Sequence, residues 1–159
     1  YETAHRPDVG LAVARMAAHV TYVSEQSLQA KFGRARSGDT PRFGADFEVE
    51  HYLDHQGEAF LQRFDANTYL YLSRAMDYFQ PLARPDALAR LAEGHTRYLL
   101  ISFDTDWRFP TAHTLAIAVQ LDAAGASVQA SEIASPFGHD SFLLEVPAYH
   151  EAVRTFLAS

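Results

Sequence analysis

Apolar side chains recur at three- and four-residue spacing over roughly the first half of the chain, then shift to short continuous runs. Leu11, Ala14, Ala18 and Tyr22 share one helical face behind Pro7 and Asp8, residues suited to a first turn, which predicts a helix from there to about Ser24. A second helical piece runs from Glu25 to about Phe32 and stops at Gly33, suited to the left-handed turn after a helix. Residues 33–46 hold three glycines, a proline and several charges, and read as an exposed loop. Phe47, Tyr52, Phe60 and Phe64 fall on the apolar side of another helical wheel, with an interruption expected at Gly57. Asp65 then caps a helix bearing Tyr69, Leu70, Leu72, Ala75, Met76 and Phe79.

Beyond a breaker and one short helix in "QPLARPDALARLAEG", the texture changes. Tyr98 to Phe103 is apolar on nearly successive residues, the pattern of a strand buried on both faces. An amphipathic helix ending at Gly125 follows, then a second strand from Val128 to Ile133, a loop, and a last helix opening at Pro147. Strand, helix, strand, helix with short connections is the parallel α/β pattern, in which both strand C-termini reach one edge and ligands bind there. Asp104, Asp106 and His139 all lie just past those ends.

Composition narrows the chemistry. The 159 residues suit one domain with a real core, and a formal charge of −7 argues against a phosphate-coating surface and hence against nucleic acid as a partner. With no cysteine, disulfides, thiolate metal sites and cysteine nucleophiles are excluded. The longest apolar run is far short of the roughly 20 residues that cross a bilayer, and the first ten residues lack the pattern of a signal peptide. A cytoplasmic location with no membrane association is the expectation. The absence of an initiator Met, together with an almost immediate helical pattern, leads us to expect a piece of something longer.

An aspartate on one strand-end loop and a histidine on the next supply an orienter and a general base for a hydroxyl nucleophile. Acid, helix, strand and histidine before a C-terminal helix match the tail of the α/β-hydrolase order, nucleophile then acid then histidine. That order requires a serine on a sharp strand-to-helix turn between small residues. The nearest match, Gly125-Ala126-Ser127-Val128-Gln129, lacks the second glycine and leads from helix into strand, the reverse of what is needed.

Four blocks, "PDVGLAVARMAAHVTYVSEQSLQAKFGR", "YLDHQGEAFLQRFDANTYLYLSRAMDYF", "SFDTDWRFP" and "GHDSFLLE", occur in the order and spacing of a known family. In them the chain resembles the homoserine O-acyltransferases, chiefly the acetyltransferases of methionine biosynthesis. The resemblance implies a helical lid segment over residues 1–64 and, over 65–159, the C-terminal part of an α/β-hydrolase core whose N-terminal half is missing. It implies Asp106 as triad acid, His139 as triad base, and Asp104 as a neighbour without that role. It also implies that Arg15 and Tyr22 face a homoserine pocket. Two helical turns separate them, so both share one face. Arg15 can hold a carboxylate bidentately, and Asp140 can hold an ammonium. No bound cofactor and no metal are implied. Acetyl-CoA is the co-substrate, L-homoserine the acceptor, and a homodimer through the lid helices the expected assembly. Without the nucleophile and the oxyanion hole, the chain alone is expected to be inactive and to expose sheet edge and apolar surface.

Plainer readings stand beside these. His51 and His55 share a helical face and could bind a metal with Glu48 or Glu58. Arg15 could snorkel to the surface, and Tyr69, Tyr71, Tyr78 and Phe79 could serve packing or an interface. Trp107 could shield the acid or pack on a loop. A succinyl donor, a carboxylester hydrolase of the same fold, or a non-catalytic binding or dimerisation fragment are the alternatives in function.

Overall fold

The computed structural model describes residues 6–84 and 86–159, and these form two compact units, each described by itself. The first comprises residues up to Thr21 together with Glu25–Phe79. The second comprises Tyr22–Ser24 with Gln80–Ser159. Ala66, Asn67, Tyr69 and Leu70 line a shallow apolar cleft with Pro7, Gly10, Leu11 and Ala14, which ties the fourth helix to the first.

The first unit is helical: α1 (Asp8–Tyr22, whose last residue groups with the second unit), α2 (Glu25–Lys31), α3 (Glu48–Leu61) and α4 (Ala66–Asp77). Gly33 adopts a φ of 51°, the left-handed conformation expected after α2. Asp65 caps α4, its carboxylate accepting from the Thr68 backbone N–H at 2.9 Å and from the Thr68 hydroxyl at 2.6 Å. That hydroxyl, then the backbone donor, holds the Asp65 carboxyl below its usual value, so the stability it gives fades as pH falls through the lowered folded value.

One expectation about the first unit is corrected here. The helix is not interrupted at Gly57: α3 runs straight through it. A Cβ on Gly57 would lie 3.1 Å from the Ala12 Cβ, 3.2 Å from the Ala12 carbonyl oxygen and 3.0 Å from the Met16 methyl, so the missing side chain lets α1 and α3 approach closely. The 33–46 segment is a loop exposed over most of its length, as expected, and it is tethered near its end. Arg36 and Phe47 form an antiparallel bridge, and the Arg36 guanidinium holds the buried Asp46 carboxylate through two bonds, 3.1 and 3.3 Å.

The second unit holds β1 (Arg97–Phe103) and β2 (Ser127–Ile133), paired in parallel from Arg97↔Ser127 to Phe103↔Ile133. A short 3-10 turn at Pro81–Ala83 and helix α5 (Ala87–Glu93) precede β1, α6 (Thr111–Ala123) links the strands, and α7 (Pro147–Ala158) closes the unit. Gly125, at a φ of 85°, makes the turn out of α6. Phe103, Ile133 and Val146 form a buried cluster against Ile101, Phe137, Tyr149 and Ala152.

β1 is not buried on both faces. Only Ser102 and Phe103 are fully covered, because the described sheet has two strands and each keeps one unpaired edge. Nor is α6 amphipathic in its setting, since Leu115 and Val119 on one side and Ile117 on another are all exposed while Leu121 is buried. The segment after β2, expected as a loop, contains a 3-10 turn over Gly138–Leu143. Gly138 enters that turn at a φ of 73°, with its Cα packed on the backbone of Tyr22–Ser24. An added Cβ would meet the Ser24 nitrogen at 2.7 Å and the Tyr22 carbonyl oxygen at 2.8 Å.

Both glycines are therefore expected to resist substitution, each within its own unit. Gly57→Val should lower the unfolding free energy by about 1–3 kcal/mol through overpacking. Gly138→Ala should cost roughly 2–5 kcal/mol, since positive φ and a clash with rigid backbone add. Urea unfolding monitored by circular dichroism measures both, and stability unchanged in either variant would contradict the packing described.

Candidate active site

The second unit brings the two strand-end loops together past the C-termini of β1 and β2. The peptide after β1 turns immediately: Asp104 N–H still donates to the Ile133 carbonyl at 3.2 Å, and Asp106 N–H donates back to Phe103 at 3.0 Å. The turn carries the Asp106 side chain inward, where the residue is only 5% exposed. One carboxylate oxygen, Oδ1, accepts from the backbone N–H groups of Arg108 at 3.1 Å and Phe109 at 2.9 Å. The other, Oδ2, lies 2.7 Å from His139 Nδ1. A buried carboxylate needs such partners, because an unpaired one would be costly to desolvate.

His139 reaches Asp106 from the second residue of the 3-10 turn, with its side chain 30% exposed. Three aromatic rings surround the imidazole: Phe109 at 4.7 Å between centroids, Tyr22 at 5.5 Å and Phe142 at 5.5 Å. His139 and Asp106 line an open cleft of about 380 Å³ whose walls include Phe103, Phe109, Phe142 and Tyr149. A histidine anchored through Nδ1 to a buried carboxylate and bordering an open cleft is arranged as a general base with an orienting acid.

Asp104 faces elsewhere, its Oδ1 accepting from the Ser135 N–H at 2.8 Å. It clamps the second loop and does not meet the histidine, so of the two strand-end aspartates Asp106 is the one that contacts the imidazole. No serine or threonine hydroxyl hydrogen-bonds His139 among the described residues. Ser102 bonds Thr111 at 3.0 Å, and Ser135 and Ser141 bond each other at 2.8 Å.

The other residues implied for the acceptor are distributed between the units. Tyr22 touches the imidazole within the second unit, and Asp140 is half-buried directly after it, its carboxylate free of ion pairs among the described residues. Arg15 belongs to the first unit, where its guanidinium lies 5.1 Å over the Phe60 ring and its Nε is buried without a hydrogen-bond partner among the described residues. This disfavours a snorkelling role, which would put the head group in water.

His51 does not pair with His55. Its Nε2 lies 3.0 Å from the Ser37 hydroxyl and 3.3 Å from the Arg42 guanidinium, and no group of metal-binding side chains forms among the described residues. Trp107 is 59% exposed. Tyr71, Tyr78 and Phe79 are exposed, so they do not pack a core within the first unit. No helix among the described residues is long and apolar enough to cross a membrane.

Sequence reasoning did not single out Phe109 and Phe142, which flank the imidazole, nor Arg108, exposed with its guanidinium 5.4 Å over the rings of both Tyr22 and Phe109. Their position next to Asp106 and His139 in the chain was the available signal.

No protein-family model matches the chain. Individual relatives do. A homoserine O-succinyltransferase of Nocardioides sp. is 55% identical over 150 residues, covering 93% of this chain and 41% of the relative. A homoserine O-acetyltransferase of Rhodospirillum rubrum is 51% identical over 156 residues, covering 95% and 40%. The fold matches an esterase crystal structure at a TM-score of 0.78 and 19% identity, over 99% of this chain and 44% of that one. It also matches a homoserine O-acetyltransferase from Bacillus anthracis at a TM-score of 0.75 and 18% identity, over 98% and 43%. The chain spans about two fifths of the length of the curated relatives it matches. Identity at this level over nearly all its residues, on parallel strands ending in an acid and a histidine, settles its membership: the chain belongs to the homoserine O-acyltransferase family of the α/β-hydrolase fold.

Proposed function

We propose that the chain supplies the acid and base of a homoserine O-acetyltransferase, a cytoplasmic enzyme that moves an acetyl group from acetyl-CoA to the hydroxyl of L-homoserine. The observation that carries this reading is the 2.7 Å contact from His139 Nδ1 to buried Asp106 beside an open cleft. The nucleophilic serine and the oxyanion-hole donors lie outside these residues. In the first half-reaction His139 takes the serine proton as the hydroxyl attacks the thioester carbonyl. The tetrahedral intermediate collapses to an acyl-serine, and the departing thiolate receives the proton. In the second half-reaction His139 takes the homoserine hydroxyl proton, the alkoxide attacks the acyl-serine, and the proton returns to the serine. Asp106 holds the imidazole in the Nδ1–H tautomer throughout and stabilises the imidazolium that forms twice per cycle.

Homoserine is a zwitterion, and its recognition calls for one group of each sign. Arg15, with an unsatisfied Nε, is the proposed carboxylate partner, Asp140 the proposed ammonium partner, and Tyr22 a wall of the acceptor site. Leu72 and Met76, exposed and one turn apart on α4, support a homodimer through the helical unit. A succinyl donor is a second reading with its own support: the 55%-identical relative is named a succinyltransferase, and the Arg108 guanidinium, over the Tyr22 and Phe109 rings that flank His139 and without an ion pair among the described residues, suits a free carboxylate on the acyl group.

The test joins the chain to the N-terminal part of the Nocardioides relative and assays homoserine with acetyl-CoA and succinyl-CoA. Asp106→Asn and His139→Ala should each lower kcat by about 10³- to 10⁴-fold. Arg15→Ala should raise the homoserine KM about 10- to 100-fold while hydrolysis of a simple ester changes little. The 159-residue chain alone should transfer no acyl group. Transfer by that chain unaided, or equal effects of Arg15→Ala on both reactions, would contradict the proposal.

A further inference from the structure

Both backbone polar groups of Gly138, the residue before His139, are held by side-chain hydroxyls. The Gly138 N–H donates to Thr105 Oγ1 at 3.0 Å, and the Gly138 carbonyl accepts from Ser141 Oγ at 2.6 Å. Thr105 is the residue before Asp106, and its own hydroxyl proton goes to the Ser135 carbonyl. One hydroxyl thus accepts from one side of the second loop and donates to the other, which uses its single proton and one of its lone pairs. Ser141 is fully buried and also bonds the Ser135 hydroxyl, so the segment 135–141 is closed on itself and anchored to β1 through Thr105 and Asp104.

We propose that Thr105 is a positioning residue for the acid–base pair. Its hydroxyl ties together the two backbone positions that immediately precede Asp106 and His139. The aromatic contacts around the imidazole are non-directional and tolerate sliding of the ring, whereas an Asp–His hydrogen bond weakens steeply with distance and angle. Gly138 is packed on the backbone of Tyr22–Ser24 on one side, and the Thr105 hydroxyl is the side-chain group that bonds its N–H from the loop carrying the acid. That bond fixes the loop at the height of the acid, in the manner of outer groups that orient a working histidine.

This proposal rests on the reading of Asp106 and His139 as acid and base, and its test reads hydrogen bonding in the chain without any acyl transfer. Proton NMR should show a far-downfield resonance for the His139 Nδ1–H bonded to Asp106. Thr105→Val keeps the size and removes the hydroxyl. In that variant the resonance should broaden or disappear, and exchange of the Gly138 amide should quicken about tenfold or more. Thr105→Ser should restore both signals. A folded valine variant with an unchanged downfield resonance overturns the proposal, and so does a serine variant that behaves like valine, since the methyl group would then be the part that matters. Should the valine variant fail to fold, the unsubstituted chain decides. Gly138 amide exchange at least about tenfold slower than that of the exposed Gly44 supports the latch, and equal rates overturn it. Loss of transferase activity in the joined enzyme with these signals intact would count against the functional reading and leave the latch standing.

Discussion

The hydrogen bond between His139 Nδ1 and Asp106 Oδ2 is the interaction on which the organisation of the second unit converges. It requires a carboxylate buried to 5% exposure, which in turn requires the two backbone N–H groups of Arg108 and Phe109 that satisfy the other oxygen. It requires two parallel strands in register, so that the loop after Phe103 and the loop after Ile133 leave the sheet at one edge. It also requires the second loop to turn sharply at Gly138, where the backbone of Tyr22–Ser24 leaves no space for a side chain. An imidazole that is to move protons needs one tautomer at one height, and each of these constraints removes a way for His139 to be elsewhere.

What is incomplete in the unit is as physical as what is present. β1 and β2 each keep an unpaired edge, and Leu115, Ile117, Val119, Leu143 and Leu157 are exposed. Apolar side chains on several sides of one helix are the pattern of an element buried within a larger core. That agrees with a chain spanning about two fifths of its relatives' length, and with a His139 imidazole that pairs with a buried carboxylate but has no hydroxyl within hydrogen-bonding distance among the described residues.

Much of this was legible in the sequence, for identifiable reasons. Helix ends marked by Asp65, Gly33 and Gly125 were readable because capping and left-handed turns are local chemistry. The two strands and their parallel pairing followed from short apolar runs separated by a helical segment, and the choice of Asp106 over Asp104 followed from the family resemblance. Gly57 misled because a glycine inside a helical pattern reads as a break. Its purpose is the close approach of Ala12 and Met16, a tertiary contact that one-dimensional periodicity does not carry. The burial of β1 was overestimated because an apolar strand reports the sheet it is built for, not the number of strands in the chain. Thr105, Ser135 and Ser141 escaped notice because lone hydroxyls in polar loops have no signature until the loops are folded together.

Whether His139 serves as a general base oriented by Asp106 is read most directly from the tautomer of its imidazole. Nitrogen-15 NMR of the chain labelled at histidine, at a pH where His139 is neutral, distinguishes a protonated Nδ1 from a protonated Nε2. With Nδ1 bonded to Asp106, the Nδ1–H form is expected, leaving Nε2 unprotonated and available to a hydroxyl. A predominant Nε2–H form, or a signal averaged equally between the two, would contradict it.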